Sequence, residues 1–132
     1  MIVREEILEL LKSTESYRVE RTVSTGNMDK FCEAICAFAN DMPNSRKNGY
    51  LIIGAYDDGE IAGMKVDDAL LKKIAGIRSD GNILPLPTMS VERFTFPEGD
   101  LLVAEVRPSD LPPVRYRGRA FIRIGPRRDI AT

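Results

Sequence analysis

The amino-acid sequence predicts an α/β (α+β) fold, a mixed β-sheet with about three helices packed on it. Three observations carry that prediction. Met28 to Ala39 repeats apolar residues at helical spacing, Tyr50 to Tyr56 is a continuous apolar run, and the chain beyond Pro87 is a series of short β-prone segments broken by glycine and proline. An amphipathic helix and a strand that is apolar on both faces each need a partner layer. A sheet carrying helices supplies one for both.

The elements follow in order. Ile2 to Lys12 places Val3, Ile7, Leu10 and Leu11 on one side of a short helix. Tyr17 to Val23 alternates, with Tyr17, Val19 and Val23 on one face and Arg18, Glu20 and Thr22 on the other, which predicts a half-buried strand. Gly26-Asn27 breaks the chain, and Asn27 suits the N-cap of the next helix. In that helix Met28, Phe31, Cys32, Ile35, Phe38 and Ala39 form one stripe, leaving Asp29, Lys30 and Glu33 towards solvent.

The polar stretch Pro43 to Gly49 predicts a loop, and the run after it predicts a central strand covered on both faces. Asp57-Asp58-Gly59-Glu60 is hairpin chemistry leading into Ile61 to Met64. A third helix is expected over Asp67 to Ile77, with Leu70, Ile74 and Ile77 aligned. Strands are then expected at Met89 to Phe96, Leu101 to Val106, Val114 to Tyr116 and Ala120 to Ile124, the last two joined around Gly118. With no repeat, low-complexity tract or linker, residues 1–132 read as one domain.

Composition excludes several functions. The chain has no histidine, which removes Ser-His-Asp and Cys-His triads and every imidazole zinc site. Cys32 and Cys36 are too few for a structural zinc site and read as small core residues. No apolar run is long enough to span a bilayer, and the N-terminus turns acidic at once, so a cytoplasmic location without membrane contact is expected. No Walker or Gly-x-Gly-x-x-Gly pattern is present, and no cofactor is expected.

The net charge of −1 conceals an asymmetry. Residues 107–132 hold seven arginines against two aspartates, a balance of +5 that leaves −6 for residues 1–106. Arg115 lies before the Gly118 turn, with Arg119 and Arg123 after it. Arg119, Phe121 and Arg123 share strand parity, which predicts two guanidinium groups flanking an aromatic ring on one sheet face. Guanidinium groups grip phosphate through paired hydrogen bonds, and an exposed Tyr116 or Phe121 would stack on a base. The same arginines also fit a soluble sheet edge, and Phe121 also fits a core position.

Glu15-Ser16-Tyr17-Arg18-Val19-Glu20, Ala37-Phe38-Ala39-Asn40, Gly49 to Gly63, Pro112-Pro113-Val114-Arg115-Tyr116 and Ala120 to Gly125 appear in an order that resembles the AlbA-like domain of the Schlafen family, over roughly residues 15–128. The resemblance implies a nucleic-acid-associated module, often found in bacterial transcriptional regulators ahead of a winged-helix segment. The chain is accordingly expected to be the N-terminal part of a longer regulator. Two departures stand out. Glu20-Arg21-Thr22 replaces the family's Glu-aromatic-Lys, and a longer loop from Asn40 to Gly49 replaces Asn-Thr-x-Gly-Gly, with Arg46 and Lys47 as candidate replacement charge.

The expectation is therefore a DNA- or RNA-binding domain contacting the phosphate backbone through Arg115, Arg117, Arg119, Arg123, Arg127 and Arg128, with Arg46 and Lys47. Arg127 and Arg128 fit either a phosphate-contacting tail or a solvated end. Two alternatives stand beside it. The resemblance implies that a nuclease of this family would hold Mg²⁺ or Mn²⁺ through Glu15, Glu20 and Asp58. A protein-interaction module or homodimer would instead pair through a sheet edge.

Overall fold

The computed structural model describes residues 3–13, 18–125 and 127–131. The described elements are helix α1 (Arg4–Lys12), strand β1 (Val19–Thr22), helix α2 (Met28–Asn40), strand β2 (Gly49–Ile53) and helix α3 (Asp68–Ala75), which runs into a 3-10 turn at Gly76–Arg78. Strands β3 (Ile83–Leu84), β4 (Met89–Phe96), β5 (Gly99–Val106), β6 (Arg115–Tyr116), β7 (Phe121–Ile124) and β8 (Arg127–Ile130) follow. The fold class is the one expected, three helices on mixed sheet.

Strands β1-β2-β5-β4 form a four-stranded sheet in which only β1 and β2 are parallel; β3 pairs with β6, and β7 with β8, as two short ribbons. Parallel neighbours need a long crossover, and α2 provides it. Asn27 caps that helix, its side chain accepting from Lys30 N at 3.1 Å.

The sheet divides two cores. On one face Leu51, Ile53, Leu102, Ala104 and Val106 pack under α2 and the α3 turn; on the other Val19, Tyr50, Ile52, Leu101 and Val103 pack under Ile7 and Leu11 of α1. Gly49 lets α2 come this close, because a Cβ there would fall 2.2 Å from Phe38 Cγ. Gly59, at φ +89°, plays the same part at the end of α1, where a Cβ would fall 1.9 Å from Leu11 O.

Several expectations shift. Strand β1 is buried along its whole length instead of on one face, since α1 covers one side and the arginines of β7 and β8 the other. The expected positions of Ile2 and Tyr17 lie outside the described residues. The segment after Gly59 makes a single bridge, Ala55 to Ile61, in place of a hairpin strand. Segments 114–116 and 120–124 do not pair along their length around Gly118. Beyond one bridge, Tyr116 to Arg119, each takes a different partner. Residues Arg127–Ile130 are not a tail but the partner strand of β7, with Arg127 exposed to solvent.

The end of α2 is tied to these ribbons by one amide. Asn40 Oδ1 accepts from Val114 N at 2.6 Å, while Nδ2 donates to Val114 O at 2.9 Å and Phe121 O at 2.7 Å. Three main-chain groups of two segments are satisfied by one side chain. Replacing Asn40 by alanine removes all three bonds, and a loss of about 2–4 kcal/mol in urea-unfolding free energy is expected.

Cys32 and Cys36 are buried in the α2 core. Burial pushes the Cys32 thiol up to about 11, and it raises Cys36 as well. Because the thiolate is the reactive form, alkylation of both at pH 8 should be more than about tenfold slower in the native protein than in urea. Equal rates would show that this core opens readily.

Candidate functional site

Glu20 lies on the α2 side of β1, opposite Leu51 in register. Strand alternation places it there, and the sheet leaves its carboxylate almost no water, with 7% of the side chain exposed. Arg123 of β7 meets it at 2.6 Å and is 1% exposed. Arg128 of β8 adds a second cation at 3.4 Å and continues to Glu33 of α2 at 3.0 Å. The Arg123 guanidinium also donates to Val19 O and sits 5.1 Å above the Phe38 ring. The result is a buried charge cluster joining β1, α2 and the β7–β8 ribbon.

This places several expected site residues differently. Of Arg119, Phe121 and Arg123, expected on one face, Arg119 lies outside β7 and is exposed, while Arg123 and Phe121 do share a face, but that face is the core, at 2% and 8% exposure. Tyr116 is buried too, its hydroxyl donating to Asp29 at 2.5 Å. Neither ring is available to stack on a base. Arg128 is three-quarters covered and committed to two glutamates and to Lys30 O.

The remaining candidates are exposed. Arg115, Arg117 and Arg119 surround the turn at Gly118, with Arg117 held at φ +50° by its N–H to Asn82 O at 2.9 Å. Arg117 lies over the Tyr116 ring at 5.4 Å and 3.8 Å from Asp29, an exposed pair of little energetic weight. Arg115, Arg119 and Arg127 make no ion pair with another described residue. Arg46 and Lys47 are exposed on the loop after α2, away from the Gly118 turn in sequence.

The expected carboxylate set is not assembled within the described residues. Glu15 lies outside them. Asp58 is exposed in the turn after β2, its Oδ1 accepting from Glu60 N at 2.9 Å. Among the described residues no three carboxylate or thiol side chains are placed to hold a metal ion.

Residues 15–132 match the family described as Schlafen, AlbA_2. The chain belongs to that family. Among curated proteins no relative matches it. Of the solved structures, the N-terminal domain of a RecG-related protein from Nitrosomonas europaea is similar, with a TM-score of 0.61 and 23% identity over 83% of this chain and 76% of that one. The DIP2311 protein from Corynebacterium diphtheriae is similar at a TM-score of 0.59 and 19% identity, over 96% of this chain but 29% of its own length. At these identities the likeness is one of fold.

For a Schlafen AlbA_2 chain, the departure at Glu20-Arg21-Thr22 has a structural counterpart. Thr22 shares Glu20's face where the family pattern has lysine, and the positive charge on that face comes from Arg123 and Arg128. Arg21 turns to the other face. Its guanidinium donates to Leu10 O and Ser13 O at the end of α1 and to Asp57 O, each at 2.9 Å. A cation there also offsets the negative end of the helix. Arg21 and Asn40 carry roles that periodicity does not reveal; the one available signal for Arg21 was a charged residue on the apolar face of its strand.

Glu20→Gln leaves the buried guanidinium of Arg123 without its counter-charge. A loss of about 3–5 kcal/mol is expected, with the double variant Glu20→Leu/Arg123→Met more stable than Glu20→Gln. Urea unfolding of the wild type and the two variants checks this; a double variant no more stable than Glu20→Gln would mean the stranded guanidinium is not the source of the loss.

Proposed function

We propose that this chain binds nucleic acid by its phosphate backbone, as part of a regulator-type protein, and does so through the Gly118 turn. The observation that carries the reading is the grouping of Arg115, Arg117 and Arg119 within five residues of one rigid turn, with Arg115 and Arg119 committed to no described carboxylate. A guanidinium already spent on a glutamate cannot grip phosphate at full strength, and these are not spent. Arg127, exposed on β8, extends the basic surface. Family membership and a structural neighbour named as related to a DNA helicase support the same direction.

The buried aromatic rings favour backbone contacts over base stacking, so affinity with little sequence preference is expected. The metal-dependent reading fits less well. Glu20 carries two guanidinium groups within 3.4 Å, and a divalent cation at that carboxylate would have to sit beside both. The described residues therefore do not fit a metal there, and no cleavage step is assigned to them.

Binding of labelled duplex and single-stranded probes across a salt series tests this. Affinity should fall linearly with log salt, and Arg115→Ala/Arg117→Ala/Arg119→Ala should weaken it and reduce the slope by roughly 0.9 per lost duplex contact. Unchanged affinity in the folded triple variant would sink the reading. Metal-dependent cutting that Glu20→Gln abolishes, with the variant still folded, would replace it with nuclease activity.

A further inference from the structure

A polar cleft of about 530 Å³ opens at the far end of α2, between the loop 41–48 and the segment 107–112. Its volume lies in the range of small-molecule sites. One wall carries Asn44, Arg46 and Asn48, the other Arg107, Ser109 and Asp110. Arg107 belongs to no expected site, and the cleft is separate from the Gly118 turn.

Both walls are held in place from within. Asp41 ends α2 at φ +45° and turns its carboxylate into the loop. Oδ1 accepts from Ser45 N at 3.1 Å and Ser45 Oγ at 2.9 Å, and Oδ2 accepts from Arg46 N at 2.8 Å. Asn44 and Arg46 are also left-handed, at φ +54° and +59°. Asparagine tolerates that conformation, whereas arginine rarely adopts it, so the loop spends conformational energy to aim Arg46. The opposite wall is pinned by Arg107 N to Thr88 O at 2.9 Å and Ser109 N to Ala39 O at 2.8 Å.

What these walls present is uncommitted. The guanidinium groups of Arg46 and Arg107 and the side-chain amides of Asn44 and Asn48 make no hydrogen bond or ion pair with another described residue. Asp41 is occupied by its three donors. Asp110 remains as an acceptor on the rim. Paired cations suit an anion, while amides and one carboxylate suit a ligand that also carries hydroxyl or amino donors.

We propose that this cleft binds one phosphorylated nucleotide, its phosphate taken by Arg46 and Arg107 and its sugar or base edge by Asn44, Asn48 and Asp110. The nucleotide is either free or one unit of a single strand. The site does not depend on the Gly118 turn gripping a backbone.

Amide spectra of the chain titrated with AMP, a 5′-phosphorylated tetranucleotide and inorganic phosphate test the assignment. AMP and the tetranucleotide should both shift residues 41–48 and 107–112. Arg46→Ala/Arg107→Ala should weaken both by about tenfold or more, while leaving the core amides in place. Tighter binding of the tetranucleotide than of AMP identifies a strand as the source; equal binding identifies a free nucleotide. No shift at these two segments, or undiminished binding by the double variant, overturns the proposal. Duplex binding lost in the Gly118-turn variant but kept in Arg46→Ala/Arg107→Ala separates the two sites. AMP shifts at the cleft without any duplex binding would uphold the cleft and remove the turn.

Discussion

Burying the carboxylate of Glu20 obliges the chain to deliver a cation to it, and the cation comes from more than a hundred residues away. Arg123 closes on Glu20 at 2.6 Å with both side chains nearly dry, and Arg128 follows on the next strand. An unpaired buried charge costs several kcal/mol, so β7 must lie against β1 and α2. That placement draws in β8 and seats Phe121 in the core. Asn40 then ties the end of α2 to Val114, just before β6, and to Phe121 of β7. The C-terminal ribbons are thus held to the sheet by polar groups that make sense only in pairs.

This arrangement sorts nine of the chain's arginines into three kinds of work. Arg123 and Arg128 neutralise glutamates inside the fold, and Arg21 closes the end of α1 by donating to its carbonyls. Those around Gly118, with Arg127, face water. Arg46 and Arg107 face one cleft. Identical side chains therefore neutralise charge inside the fold in one place and stay exposed to water in another, and their place in the fold decides which.

The elements with strong apolar periodicity were the legible ones. The stripe of α2, the doubly covered β2, the Asn27 cap and strands β4 and β5 all follow from side-chain patterns that repeat within one element. The candidate site was legible only in part. Parity correctly put Phe121 and Arg123 on one face, yet it carries no sign for inside or outside, and a charged residue beside an aromatic looks like a surface. Strand β8 and the pairing of β3 with β6 were not legible because two- and four-residue strands have too few residues to show a period.

Taken alone, the sequence determined the class of fold, the order of its main elements, the family, the absence of histidine chemistry and the concentration of positive charge towards the C-terminus. The family rests on the resemblance of several segments in order along the chain; the others are properties of composition and of short-range pattern. Tertiary structure alone decided which arginines meet a carboxylate, that Glu20 is buried beneath two of them, and that Arg46 and Arg107 line one cleft. Each depends on residues far apart in the chain arriving at one point, and the energy of a charge depends on what surrounds it there, which no local pattern encodes.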